Sequence, residues 1–196
     1  MDPTYITNFL NRSKEMYFGG LCALVWWTRR PMTSKDQVGC VVHAFFDAAF
    51  KFKEYAARLG YVIRLLGSIE LKDDALALFR NWIAWATKRA GRKVGSSTAG
   101  ELLALEFLLK KLGEIVGLVR ALWGIKVVRV IVYTDSGPLH DQFRSGKAQT
   151  DATMQGVLEW CIQEMRAVGA DLQWISRGRN VANVMTKCAL PGGELA

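Results

Sequence analysis

The sequence predicts an α/β domain built on a five-stranded mixed sheet that is flanked by helices. Three observations lead to this prediction: short apolar runs rich in β-branched residues, long segments with helical periodicity, and Gly-, Ser- or Pro-containing turns between them. The elements follow in the order three strands, a helix, a strand, two helices, a strand and a helix. With 196 residues, the chain is long enough for one domain with a substantial core and a short extra segment.

The first half of the chain supplies the first three predicted strands. The run GCVVHAFFDAAF, which starts at Gly39, is apolar almost throughout, as in a strand buried on both faces, and this strand is expected to end in an acid, Asp47. Residues 57–66 form the second predicted strand. Residues 75–86 fit a helical stripe as well as a strand, so the sequence leaves the third element ambiguous.

The second half alternates helices with strands. Ser97 or Thr98 can cap a helix whose apolar face is marked by leucines at 102, 105, 109 and 112. A buried strand, VVRVIVYT, follows at 127–134 and leads directly into Asp135. The remaining predicted elements are helices at 137–144 and 150–168, a strand at 171–176 and a last helix at 181–188.

Composition limits the partners and the compartment. Lys and Arg number 26 against 18 Asp and Glu, giving a net charge of +8, which favours a polyanionic partner, nucleic acid before membrane, over the alternative that the charge only aids solubility. No apolar stretch is long enough for a membrane span or a secretory signal. Four cysteines (Cys22, Cys40, Cys161 and Cys188) are widely spaced, which indicates idle thiols in a reducing, intracellular compartment.

Three acids stand at chemically notable positions in this order of elements. If the first and fourth strands are parallel neighbours, Asp47 and Asp135 emerge side by side, and Glu101 can reach them from the helix packed across that edge. Such a cluster implies bound divalent metal, because close carboxylates repel one another without cations. Each acid also has a simpler explanation: Glu101 can form a capping box with Thr98, and Asp135 can cap the next helix.

Several motifs in this order carry a resemblance to a known family. A strand with Ile83 and Trp85 leads into a basic loop beginning at Lys88, then into Ser96-Ser97-Thr98 and Glu101; FFDAAF precedes them, and VIVYTDSGPL and NVANVMTK follow. This series resembles the ribonuclease H domain of copia-type LTR retrotransposon polyproteins. The resemblance covers residues 39–190. It implies a ribonuclease H-like domain at 38–190, with 1–37 as the end of a polymerase connection region and 191–196 as a tail.

The resemblance implies a sheet whose first three strands are antiparallel and whose fourth and fifth are parallel to the first. It also implies a reaction: hydrolysis of the RNA strand of RNA–DNA hybrids during reverse transcription, with two Mg²⁺ ions for which Mn²⁺ can substitute. Asp47, Glu101 and Asp135 match the first three acids of the family's quartet, and Asp47 would bridge both ions. The fourth position holds Asn183, which brings no charge and should weaken the second ion. Deliberate inactivation and natural degeneration explain Asn183 equally well.

The expected partners are the hybrid itself and the reverse-transcriptase domain of the same polyprotein, in the cytoplasm or a virus-like particle. Basic residues around the first and last helices, with one serine, are the candidate phosphate contacts. These candidates are Lys88, Arg89, Arg92, Lys93, Ser136, Arg177, Arg179 and Lys187. A second hypothesis is a catalytically inactive module of the same fold that binds nucleic acid or a protein. Asn183 and the lack of a histidine in the loop SRGRN favour this second hypothesis.

Overall fold

The structure is a computed structural model that describes residues 41–51, 56–66, 82–123, 128–149 and 151–187. Its strands form one sheet in the order β3-β2-β1-β4-β5. They are β1 (Val41–Lys51), β2 (Ala56–Leu66), β3 (Trp82–Arg89), β4 (Arg129–Thr134) and β5 (Ala170–Trp174). β1, β2 and β3 pair antiparallel, whereas β4 and β5 run parallel to β1. The predicted mixed sheet is therefore confirmed.

Four α-helices lie within the described ranges. They are α1 (Ser97–Trp123), α2 (Gly137–Ser145), α3 (Gln155–Val168) and α4 (Asn183–Lys187). Short 3₁₀ turns, at Ala152–Met154 and Arg177–Arg179, precede α3 and α4. Within this part of the chain, no helix has the length and hydrophobicity that crossing a membrane requires.

The two faces of the central strand β1 belong to two different clusters of apolar side chains. Side chains alternate along a strand, so Val42, Ala44 and Phe46 enter the main core with residues of α1 and α3. On the opposite face, Phe45 belongs to a smaller cluster beside α4. This α4 cluster consists of Phe45, Val62, Trp82, Val181, Ala182 and Met185. Burial on both faces explains why the sequence of β1 is an almost continuous apolar run.

Several strand boundaries differ from the prediction, among them those of β5, which runs Ala170–Trp174 rather than 171–176. β1 does not end at Asp47 but continues to Lys51, because its last residues still pair with β2. The ambiguous third element is a strand over its described part, Trp82–Arg89. Lys88 and Arg89 therefore lie on a strand rather than in the basic loop to which the sequence assigned them.

The helix boundaries differ where polar side chains cap turns. The predicted helix at 150–168 begins as a 3₁₀ turn, because Asp151 accepts a hydrogen bond from the backbone N–H of Thr153 at 2.9 Å. The last helix starts at Asn183 rather than at 181, because Asn180 Oδ1 accepts from the N–H of Ala182 at 3.1 Å and holds a turn. The predictions for residues 1–37 and 191–196 lie outside the described residues.

Gly60 in β2 sets how closely α4 approaches the sheet. It lies directly opposite Asp47 of β1 in the antiparallel register. A Cβ atom added to Gly60 would lie 2.6 Å from Met185 Cβ and 3.0 Å from Thr186 Cγ2. Atoms cannot be this close, so α4 can rest on β2 only where the strand has no side chain.

Replacement of Gly60 by alanine should force α4 away from the sheet. We expect Gly60→Ala to lower the free energy of unfolding by about 1–3 kcal/mol, as overpacking does in well-packed cores. Gly117→Ala is the matched control, because a Cβ at this exposed position in α1 meets no atom within 4 Å. It should instead stabilise the helix by about 1 kcal/mol. Urea denaturation measures both, and equal stabilities would contradict the described packing of α4.

Candidate metal centre

The parallel pairing of β1 with β4 brings two acids together. Phe45 pairs with Tyr133, and two residues further along each strand the same register leads to Asp47 and Asp135. Asp47 is 1% exposed and lies within β1, whereas Asp135 is half-buried just after the end of β4. The sequence predicted this juxtaposition correctly, although Asp47 is not at a strand end.

Helix α1 adds the third carboxylate. It packs across β1 and β2 and carries Glu101, which is buried, one residue beyond its first turn. One carboxylate oxygen from each of Asp47, Glu101 and Asp135 lies within 4.8 Å of the other two. Residues far apart in the sequence therefore meet in one cluster.

The chemistry of this donor set fits a hard divalent cation. All three side chains offer carboxylate oxygens, the ligands that Mg²⁺, Mn²⁺ and Ca²⁺ prefer. Two of the three are buried, so solvent screens their mutual repulsion poorly, and a cation among them removes that repulsion. Asp47, Glu101 and Asp135 are therefore the residues that would hold the metal.

The simpler explanations for Glu101 and Asp135 are wrong. Ser96 caps α1, because its Oγ accepts a hydrogen bond from the N–H of Ala99 at 3.1 Å, so the helix does not start with a Thr98 capping box. Ser136 caps α2 in the same way, by accepting from the N–H of Leu139 at 3.4 Å. Neither acid caps its helix.

Asn183, the expected fourth ligand, is held by the turn before α4. Its Nδ2 donates to the carbonyl oxygens of Arg177 at 2.8 Å and Asn180 at 2.9 Å. One helical turn later, Thr186 Oγ1 donates a hydrogen bond to Asp47 Oδ2. Residues three apart share a helix face, so Asn183 lies on the side of α4 that faces the acids. Its assignment as a metal ligand stays a prediction.

Seven of the eight predicted phosphate contacts fall into two groups, and the eighth, Ser136, is the N-cap of α2. Lys88 and Arg89 end β3, and Arg92 and Lys93 lie in the loop before α1. Arg177 and Arg179 lie in the exposed 3₁₀ turn before α4, whose last residue is Lys187. The ammonium group of Lys88 lies over the ring of Phe107, 4.1 Å from its centroid.

Arg58 is a candidate contact that the sequence analysis missed. It is exposed on β2 and lies directly opposite Arg89 of β3, one step along the same sheet face from Gly60 and its partner Asp47. Like charges directly opposite each other destabilise a sheet unless an anion lies between them. The sequence showed only an arginine within a predicted strand. That Arg58 faces Arg89 follows from the register of β2 and β3, which the sequence does not give.

Comparison with solved structures finds ribonucleases H1 of similar fold. The structure of LC11-RNase H1 in complex with an RNA/DNA hybrid is 15% identical with a TM-score of 0.52, and the match covers 75% of this chain and 93% of that chain. LC11-RNase H1 isolated from compost by a metagenomic approach is 14% identical, with a TM-score of 0.50 and coverage of 76% and 92%. RNase H1 from the halophilic archaeon Halobacterium salinarum NRC-1 is 18% identical, with a TM-score of 0.47 and coverage of 74% and 93%.

Sequence comparisons give no such match. No known family profile and no curated protein matches the chain. At these low identities the likeness to the two LC11 structures establishes the fold alone. The chain therefore has the ribonuclease H fold, with an acid cluster able to bind metal at the centre of its sheet.

Removal of any one of the three carboxylates should weaken cation binding. In calorimetric titrations with Mn²⁺, we expect Asp47→Asn, Glu101→Gln and Asp135→Asn each to lower the affinity by at least roughly tenfold. Asp171→Asn is the control, because this acid is exposed on β5. Each neutral variant should fold normally, since it also relieves repulsion in the metal-free site. Unchanged Mn²⁺ affinity in the three variants would disprove the site.

Proposed function

We propose that this chain is a divalent-metal-dependent endonuclease that hydrolyses the RNA strand of RNA–DNA hybrids, with activity reduced by Asn183. The observation that carries the proposal is the convergence of Asp47, Glu101 and Asp135 within 4.8 Å on a ribonuclease H fold. Structural packing does not require three carboxylates to meet where two of them are buried. Metal-dependent phosphodiester hydrolysis gives such a group a purpose, because it must hold the cations.

The chain's residues divide the work of this reaction. Two Mg²⁺ ions, or Mn²⁺ in their place, would supply activation of the attacking water and stabilisation of the leaving 3′ oxygen. Asp47, with Glu101 and Asp135, would hold the cations and offset part of their positive charge. Asn183 offers a neutral amide in the fourth position, so the site carries one negative charge fewer and binds the second cation less tightly.

Exposed arginines and lysines near the acids would bind the phosphate backbone of the hybrid. Lys88, Arg89 and Arg58 lie on the strands beside Gly60, and Arg177 and Arg179 flank the helix whose Thr186 contacts Asp47. Phosphate contacts fix the position of the duplex without reading its sequence. Selection of RNA over DNA would come from the 2′-hydroxyl groups displayed in the wide minor groove of the hybrid.

The biological setting we propose is retroelement reverse transcription, alongside the reverse-transcriptase domain of the same polyprotein. The support is the series of motifs between residues 39 and 190. In that setting the protein works in reducing surroundings, in the cytoplasm or a virus-like particle. Cys161, a free cysteine in the described ranges, is buried, which raises the pKa of its thiol to about 12 and makes it unreactive.

A second candidate is an inactive module that binds hybrid or a protein partner without turnover. One observation favours it: the amide of Asn183 donates two hydrogen bonds to backbone carbonyls, which ties this residue to the turn before α4. Retention of three acids at one point favours the nuclease, because binding without catalysis does not need them.

Cleavage of a labelled RNA–DNA hybrid in Mg²⁺ or Mn²⁺ separates the two candidates. We expect slow cleavage of the RNA strand by the unmodified chain, none by Asp47→Asn, and roughly tenfold faster cleavage by Asn183→Asp, equivalent to about 1.4 kcal/mol in the barrier. The same variant should lose about 1 kcal/mol of stability for each of the two amide hydrogen bonds removed. Absence of cleavage by both the unmodified chain and Asn183→Asp would reject the nuclease.

The facing arginines provide a separate test of hybrid binding. Arg58→Ala and Arg89→Ala should each weaken hybrid binding and reduce the slope of log K against log salt by about one, because each removes one phosphate contact. Arg129→Ala is the control, since this exposed arginine begins β4 at the other end of the sheet. Identical binding curves for all three variants would show that Arg58 and Arg89 do not contact the hybrid.

A further inference from the structure

Asp47 has a buried hydrogen-bond partner outside the acid cluster. Thr186 Oγ1 donates to Asp47 Oδ2 although the two residues are 139 positions apart, and Thr186 is only 3% exposed. We propose that Thr186 is a positioning residue that fixes the orientation of the Asp47 carboxylate for cation binding. This inference rests on the proposed function of the acid cluster.

The packing of α4 determines the position of Thr186. Gly60, opposite Asp47, leaves the space into which Met185 and Thr186 fit. Immediately before α4, Asn180 Nδ2 donates to the backbone carbonyl of Phe46 at 2.9 Å, so the chain is also attached to β1 next to Asp47. These contacts on two different strands hold the hydroxyl of Thr186 against the carboxylate.

The hydroxyl proton has two possible acceptors, and the distances favour the carboxylate. Thr186 Oγ1 also lies 3.4 Å from the carbonyl oxygen of Asn183, at the long limit of a hydrogen bond. Asp47 Oδ2 is the closer of the two acceptors, so the hydroxyl donates to the carboxylate.

Loss of this hydroxyl should therefore weaken metal binding without removal of any ligand. Partners that orient metal ligands typically contribute 10- to 100-fold in metal affinity. We expect Thr186→Val, which keeps the shape of the side chain, to lower Mn²⁺ affinity by roughly 10- to 100-fold. Thr186→Ser, which keeps the hydroxyl, should stay within about threefold of the unmodified chain. If Thr186 had a purely structural role, Thr186→Ser would lower Mn²⁺ affinity more than Thr186→Val, because valine fills the space better than serine.

The test is calorimetric Mn²⁺ titration of the full chain and its variants, followed by hybrid cleavage. Thr186→Ala serves as a second variant without the hydroxyl if valine prevents folding, and Thr87→Val, on the exposed part of β3, controls for the substitution itself. Equal Mn²⁺ affinity with and without the hydroxyl would overturn the inference. So would the absence of Mn²⁺ binding by the unmodified chain. Hydroxyl-dependent Mn²⁺ binding without cleavage would support the inference and reject only the nuclease.

Discussion

The parallel pairing of β1 with β4 is the constraint on which the rest of this structure depends. It joins the central strand of the sheet to one from the second half of the chain and brings Asp47 beside Asp135. The pairing also leaves one face of the sheet to α1, which carries Glu101, and the other to α4, which carries Thr186. Each helix can reach Asp47 only because β1 occupies the centre of the sheet.

Much of this arrangement was predictable from the sequence, since buried strands and amphipathic helices have periodic patterns that do not depend on distant contacts. The end of β1 was not, because residues beyond Asp47 remain in the sheet through their pairing with β2, which the pattern of one strand does not reveal. The start of α1 was predicted wrongly: the sequence offered Ser97 or Thr98 as the cap, whereas Ser96, the first of three successive hydroxyl residues, is the one that caps the helix.

The candidate site was likewise predictable only in part. Its three acids were recognisable because each lies in or next to an element with a clear pattern: the apolar strands β1 and β4 and the leucine-rich helix α1. Arg58, Asn180 and Thr186 were not, because their importance comes from partners on other elements: a facing arginine, a backbone carbonyl of β1 and the Asp47 carboxylate. Helix α4 and the turn before it therefore serve two purposes: Asn180 and Thr186 attach them to β1, and Asn183 is the predicted fourth ligand.

A cation bound by the three acids would also make the stability of the folded chain depend on the concentration of divalent cations. The acids converge only when β1, α1 and β4 have assembled, so a cation that binds there binds the native chain and not the unfolded one. By mass action, an ion present at 100 times its dissociation constant would contribute about 2.7 kcal/mol to the stability of the folded state. The divalent-cation concentration of its surroundings would then help determine how much of the protein is folded.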